Sequence, residues 1–147
     1  MKTIVLICLL VSILTAKVSE STDSFTGITT NSTDILRSTI LYLKTDSVTE
    51  YILNLEVSGS TVIYDGVGAF IQFKDGSLWE RENKAIKCTY SNGFKYYAYI
   101  HLTLEEAKLF SEKEIEKIKL YVFEKTISES KAVQFKSEVF EILGDKK

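Results

Sequence analysis

The sequence has no proline, only two cysteines and a single histidine in 147 residues. Missing proline identifies no fold, but the scarce cysteine and histidine exclude a good deal. If Cys8 departs with a targeting segment, Cys88 is the sole cysteine. An internal disulfide is then impossible, and the core must hold the chain together unaided. One histidine and one thiol, with no paired Cys spacing and no Asp/Asn ladder ending in Glu, match no zinc or calcium motif. No metal or cofactor is expected. An excess of positive charge is also missing. Without Lys2 there are 17 basic and 20 acidic residues, a net of −3. Nucleic acids and polybasic membrane contacts both require a concentrated positive field, so neither is expected.

Long apolar runs are equally scarce. Residues 4–14 form one of eleven residues, which reaches about 16 Å as a helix against roughly 30 Å of bilayer hydrocarbon. With Lys2 before it and Leu14-Thr15-Ala16 after it, the run reads as a signal peptide over residues 1–16. Cys8 follows Ile7 with apolar residues still to come, which disfavours lipidation. The expected location is secreted or periplasmic, soluble after signal removal, with no membrane span. Residues 17–37 are rich in Ser and Thr without a hydrophobic period and read as a flexible leader. Asn31-Ser32-Thr33 within it is a glycosylation triplet. Residues 38–147 remain as one domain.

What is present is β patterning. Tyr51, Leu53, Leu55 and Val57 alternate with Glu50, Ile52, Asn54 and Glu56, and Thr39, Leu41 and Leu43 alternate with Ser38, Ile40, Tyr42 and Lys44. In residues 94–103, Phe94, Tyr96, Ala98, Ile100 and Leu102 alternate with Lys95, Tyr97, Tyr99, His101 and Thr103. Residues 116–126 put Ile118, Leu120 and Val122 on one face, with Lys117, Lys119, Tyr121, Phe123 and Lys125 on the other. Such alternation marks strands with one buried face. Asp65-Gly66-Val67-Gly68 breaks or bulges a strand; no helix follows it to offer a phosphate its N-terminus. Asp75-Gly76 signals a two-residue hairpin in which Phe73 faces Leu78, Gln72 faces Trp79 and Ile71 meets Glu80, a mismatch at which pairing should fray. For the next hairpin a three-residue loop, Ser91-Asn92-Gly93, pairs Cys88 with Tyr96 and Ile86 with Ala98, keeping the apolar sets together. Thr103-Leu104-Glu105-Glu106 fits a capping box. Ala132, Phe135, Val139, Ile142 and Leu143, widened by Val133 and Phe140, form the stripe of a closing helix. Ser128 or Ser130 can cap its start and Gly144 can end it.

Reactive constellations are weak. Cys88 and His101 fall on opposite faces of the expected register, which rules against a thiolate–imidazole pair. Glu106 is taken by the cap, and Glu112, Glu114 and Glu116 lie in a Lys-interleaved surface run. The odd face is more promising. Tyr97, Tyr99, His101, Lys117, Lys119 and Tyr121 share one side if both strands lie in one sheet, and aromatic rings with polar tips suit a saccharide, peptide or protein. Alternatively, the N-terminal strands fold over this face and bury it.

The span from Trp79 to Leu143 carries the Tyr99-Ile100-His101-Leu102-Thr103-Leu104-Glu105-Glu106 segment, Lys117-Ile118-Lys119-Leu120-Tyr121 and the closing helix. It resembles small exported domains of unknown function in Bacteroidota-type bacteria, over about half of the mature chain. The resemblance implies a bacterial exported protein and supplies no site residues. The expected fold is α+β: an antiparallel β-sandwich or partly open barrel of six to eight strands with a C-terminal amphipathic helix packed on it. The expected function is a non-catalytic binding or interaction module. The alternatives are a hydrolase with dispersed carboxylates and a structural subunit of a larger assembly.

Overall fold

The computed structural model describes residues 18–25, 29–32, 39–44 and 49–144. The segment read as a signal peptide lies outside them. The fold is α+β, with two antiparallel sheets and a C-terminal helix. In chain order the strands are β1 (Ser19–Thr22), β2 (Thr29–Ser32), β3 (Thr39–Lys44), β4 (Thr49–Gly59), β5 (Val67–Phe73), β6 (Leu78–Ala85), β7 (Lys87–Tyr90), β8 (Phe94–Leu102), β9 (Ile115–Leu120) and β10 (Phe123–Thr126). Helix α1 (Leu104–Glu112) joins β8 to β9, and α2 (Glu129–Gly144) closes the chain. The larger sheet has the order β1-β2-β3-β4-β8-β7 and the smaller β10-β9-β5-β6. Strands β1 and β2 arise in the segment read as leader, where no hydrophobic period announces them. Their pairing with each other and with β3 is antiparallel.

The core forms where the two alternating faces meet. Tyr51, Leu53, Leu55 and Val57 of β4 and Tyr96, Ala98, Ile100 and Leu102 of β8 are buried, as are Ala69, Ile71 and Phe73 of β5 and Ile118 and Leu120 of β9. Each large aliphatic so buried contributes about 1.5–3 kcal/mol relative to exposure. Gly59 lets the layers close, because a Cβ there would overlap the Tyr96 ring and meet Phe123 at 3.0 Å. Tyr96 and Phe123 stack with centroids 4.5 Å apart.

Local chemistry sets the connections. At α1, Thr103 Oγ1 accepts from Glu106 N (3.2 Å) and Glu106 Oε2 accepts from Thr103 N (3.0 Å), completing the expected capping box. The hairpin at Ser91-Asn92-Gly93 has the expected register, with Cys88 opposite Tyr96 and Tyr90 opposite Phe94. The earlier hairpin differs by one residue. Ile71 pairs with Trp79 and Gln72 with Leu78, and Phe73 N donates to Ser77 O across Lys74-Asp75-Gly76 (3.0 Å). The extra loop residue puts Ile71 and Trp79, both buried, on one face. The Ile71–Glu80 mismatch of the two-residue loop disappears, and Gly76 at φ +82° supplies the left-handed position.

Two further readings are corrected. Residues 116–126 are two strands rather than one. Leu120 pairs with Phe123, and Tyr121-Val122 is a two-residue turn. Folding back places Phe123 on Tyr96 and leaves Val122 exposed. Val133 and Phe140 do not widen the buried stripe of α2, which consists of Ala132, Phe135, Glu138, Val139 and Ile142; both point to solvent. The principal neighbour of α2 is α1, with a smaller contact to β9, so its narrow stripe meets a helix rather than a broad sheet face. At this end Phe110 packs against Phe73 (5.7 Å between centroids) and edge-on to Trp79 (5.5 Å). Among the described residues no helix is long and apolar enough to cross a membrane.

Candidate functional site

Helix α1 carries the chain from one sheet to the other, and this decides where the six candidate residues lie. β8 belongs to the larger sheet and β9 to the smaller. The even positions of both strands face the shared core, so their odd positions face away from each other. Tyr97, Tyr99 and His101 therefore sit on the outside of the larger sheet. Lys117 and Lys119 sit on the outside of the smaller one, and Tyr121 lies at the turn after β9. The condition for one shared surface, both strands in one sheet, is not met.

On the larger sheet β4 completes the surface. Ile52 is opposite His101, Asn54 opposite Tyr99, Glu56 opposite Tyr97 and Ser58 opposite Lys95. The Tyr99 ring is 47% exposed, and Tyr97 is half-buried between its neighbours. Lys95 Nζ donates to Ser58 Oγ at 2.7 Å and lies 3.5 Å from Glu56 Oε1. His101 Nδ1 is 3.8 Å from Glu50 Oε2, both side chains being well exposed. The charges of this face are thus largely matched within it. An exposed phenol ring stands at its centre with an amide opposite and an imidazole two residues on.

The outside of the smaller sheet is a charged lattice. Lys117 pairs with Glu124 (3.4 Å), and Lys119 Nζ lies 5.8 Å from the centre of the Phe70 ring. Asp65-Gly66-Val67-Gly68 is the bulged start of β5, where the β5–β6 register shifts between Val67 and Ala69.

Three carboxylates, Glu106, Glu114 and Asp75, are held by structural partners. Burial alone would raise the pKa of Glu106, yet hydrogen bonds from Thr103 N, from Trp79 Nε1 at 3.1 Å and from the Arg81 guanidinium hold it below the ordinary value. The Arg81 guanidinium also lies over the Trp79 ring. Glu114 is held low by Lys74 (2.8 Å), with Lys136 at 3.4 Å. Lys113 (2.7 Å) and the Ser77 hydroxyl and amide hold Asp75 far below the usual carboxylate range. A general acid near neutral pH needs the opposite displacement. Cys88 is a half-buried free thiol on the core side opposite Tyr96, whereas His101 points outward. Among the described residues no group of three His, Cys, Asp or Glu side chains could hold a metal ion.

Sequence reasoning placed Asn54 and Glu56 on an outward face but did not join them to Tyr97 and Tyr99. The joining contact, β4 with β8, spans some forty residues of chain, and no local signal announces it. The chain matches no family model, no curated protein and no solved structure.

Proposed function

We propose that this chain is an exported, non-catalytic binding module whose recognition surface is the outer face of β4 and β8. The exposed Tyr99 ring, set on a regular sheet among Asn54, Tyr97 and His101, carries this reading. A flat phenol stacks on the apolar face of a sugar ring or on a peptide side chain, and the neighbouring amide and imidazole can bond its polar groups. Because Lys95 is already engaged by Ser58 and Glu56, the face offers little attraction for a polyanion. An extended neutral ligand fits it best, a saccharide ahead of a peptide.

Titration of the full chain against soluble oligosaccharides and short peptides tests the proposal. Tyr99→Ser and His101→Ala should weaken binding about tenfold or more, as loss of a central aromatic anchor does. Lys117→Ala and Lys119→Ala, on the opposite sheet, should leave it unchanged. Binding that survives Tyr99→Ser would overturn the assignment. Export predicts that the N-terminus of secreted material begins at or near Lys17, and an intact Met1 on such material would contradict it.

A further inference from the structure

The outer face of β4 and β8 carries a polar group that the fold leaves idle. Asn54 is half-buried, opposite Tyr99 on β8 and opposite Thr39 on β3. Its carbonyl oxygen is shut off from solvent and accepts no hydrogen bond among the described residues. Nearly all buried acceptors in folded chains are bonded, because an idle one forfeits its hydration without return. An apolar residue at this place would avoid that loss. The Tyr99 ring beside it is 47% exposed, and its hydroxyl is held by no hydrogen bond among the described residues. The ring is thus free to turn and open the amide to a ligand.

Further along the same face the polar groups are dense. Glu56 stands opposite Tyr97 and Ser58 opposite Lys95, and β10 of the smaller sheet comes alongside β4. Glu56, Ser58, Lys95, Glu124 and Lys125 line a recess of about 250 Å³. Lys95 lies on Ser58 and Glu56, and Lys117 on Glu124; Lys87 is exposed opposite Tyr97. Ammonium groups only donate and carboxylates only accept, so a ligand that serves both must do both, as a hydroxyl does. A phosphate or carboxylate would meet Glu56 and Glu124 with like charge. Side chains on one face of a strand recur about every 7 Å, which puts Asn54 and the recess within reach of one short chain of sugar rings.

We infer that Asn54 is the specificity-determining residue of this face. Its amide oxygen accepts a hydrogen bond from a hydroxyl of a neutral oligosaccharide, whose ring lies against Tyr99 and whose chain runs toward the recess. The inference rests on the reading of the Tyr99 face as a recognition surface and adds which ligands that face admits. A sugar lacking the hydroxyl leaves the oxygen idle and is refused.

Cellotriose, maltotriose and mannotriose, titrated calorimetrically against the full chain, provide the probe, followed by monodeoxy analogues of the tightest binder. One analogue should bind the parent about tenfold more weakly than the intact sugar. Asn54→Leu and Asn54→Val should bind the intact sugar about tenfold more weakly and treat that analogue and the intact sugar alike. Their melting temperatures should hold or rise, since an apolar side chain leaves no acceptor idle. Variants at Asn54 that bind like the parent, or keep its preference for the hydroxyl, overturn the inference; if Tyr99→Ser still abolishes binding, the recognition surface itself stands. A lower melting temperature in both variants makes the amide a part of the fold and equally overturns it. Binding of none of the three sugars by the parent defeats the inference together with the saccharide reading beneath it.

Discussion

At the helix-capped end, Glu106 gathers Thr103, Trp79 and Arg81, Lys113 meets Asp75, and Glu114 is gripped by Lys74 and Lys136. Beneath them Phe110 fills the space between Phe73 and Trp79. At the loop end, tyrosines and valines stand in solvent around a backbone that a tyrosine is ill suited to adopt. The two ends cap the same sandwich, so the sandwich does not dictate the difference. At the first end the side chains are explained by one another. At the second, Tyr90 meets Phe94 edge-on and the Tyr121 ring covers Gly66, while Val62 and Tyr64 stand largely exposed.

Substitution should expose this asymmetry, most strongly in the core of the capped end. Phe110→Ala should cost about 3–5 kcal/mol, the range for emptying a buried aromatic site, read from urea melts. Losses below about 1 kcal/mol would mean that the helices are not part of the cooperative core. Glu106→Ala removes a cap and orphans Trp79 and Arg81. The expected loss is about 2.5–4 kcal/mol, from a cap of about 1 and hydrogen bonds to a charged group of about 1.5–3.

Acid should act through the same end. The carboxyls of Glu106 and Glu114 have folded pKa values below their unfolded ones. Their stabilisation is therefore complete above about pH 4.5 and lost as pH falls through the folded values. Stability measured between pH 6 and pH 3 should decline, and Glu106→Gln should flatten that decline. A variant as acid-sensitive as the parent would remove Glu106 from the account.

Tyr64→Ser and Tyr99→Ser should change stability by no more than about 0.5 kcal/mol, as exposed substitutions do. Losses approaching those of Ile100→Ala or Leu120→Ala, each about 2–5 kcal/mol, would show both rings to be parts of the core. Tyr121→Gly should have an effect of the opposite sign, between zero and about 0.5 kcal/mol of stabilisation, as strain is relieved and some contact with Gly66 is lost. A clear destabilisation would show that the ring serves the fold and would erase the contrast between the ends.

The buried sets of β4 and β8, the capping box at Thr103 and the loop at Ser91-Asn92-Gly93 could all be read from the chain. Each depends on neighbours within a few residues, through period-two alternation, a side chain reaching its own backbone, or a glycine at a left-handed position. The same logic missed by one residue at Gly76, because a turn signal was followed where the apolar pairing of Ile71 with Trp79 should have decided. The Tyr121-Val122 turn left no mark, since alternation runs unbroken through it and neither residue favours turns. It exists because Phe123 gains the Tyr96 ring and the space above Gly59.

Alternation states which side chains share a face of their own strand. It does not state which sheet the strand joins, because that depends on burial summed over partners far away in sequence. The sequence by itself thus determined that Tyr97, Tyr99 and His101 look away from the core, and that Lys117 and Lys119 do likewise. Only the tertiary structure, by sending α1 across from one sheet to the other, decided that they look in opposite directions. It also decided that the loops at 60–66, 91–93 and 121–122 would meet at one end.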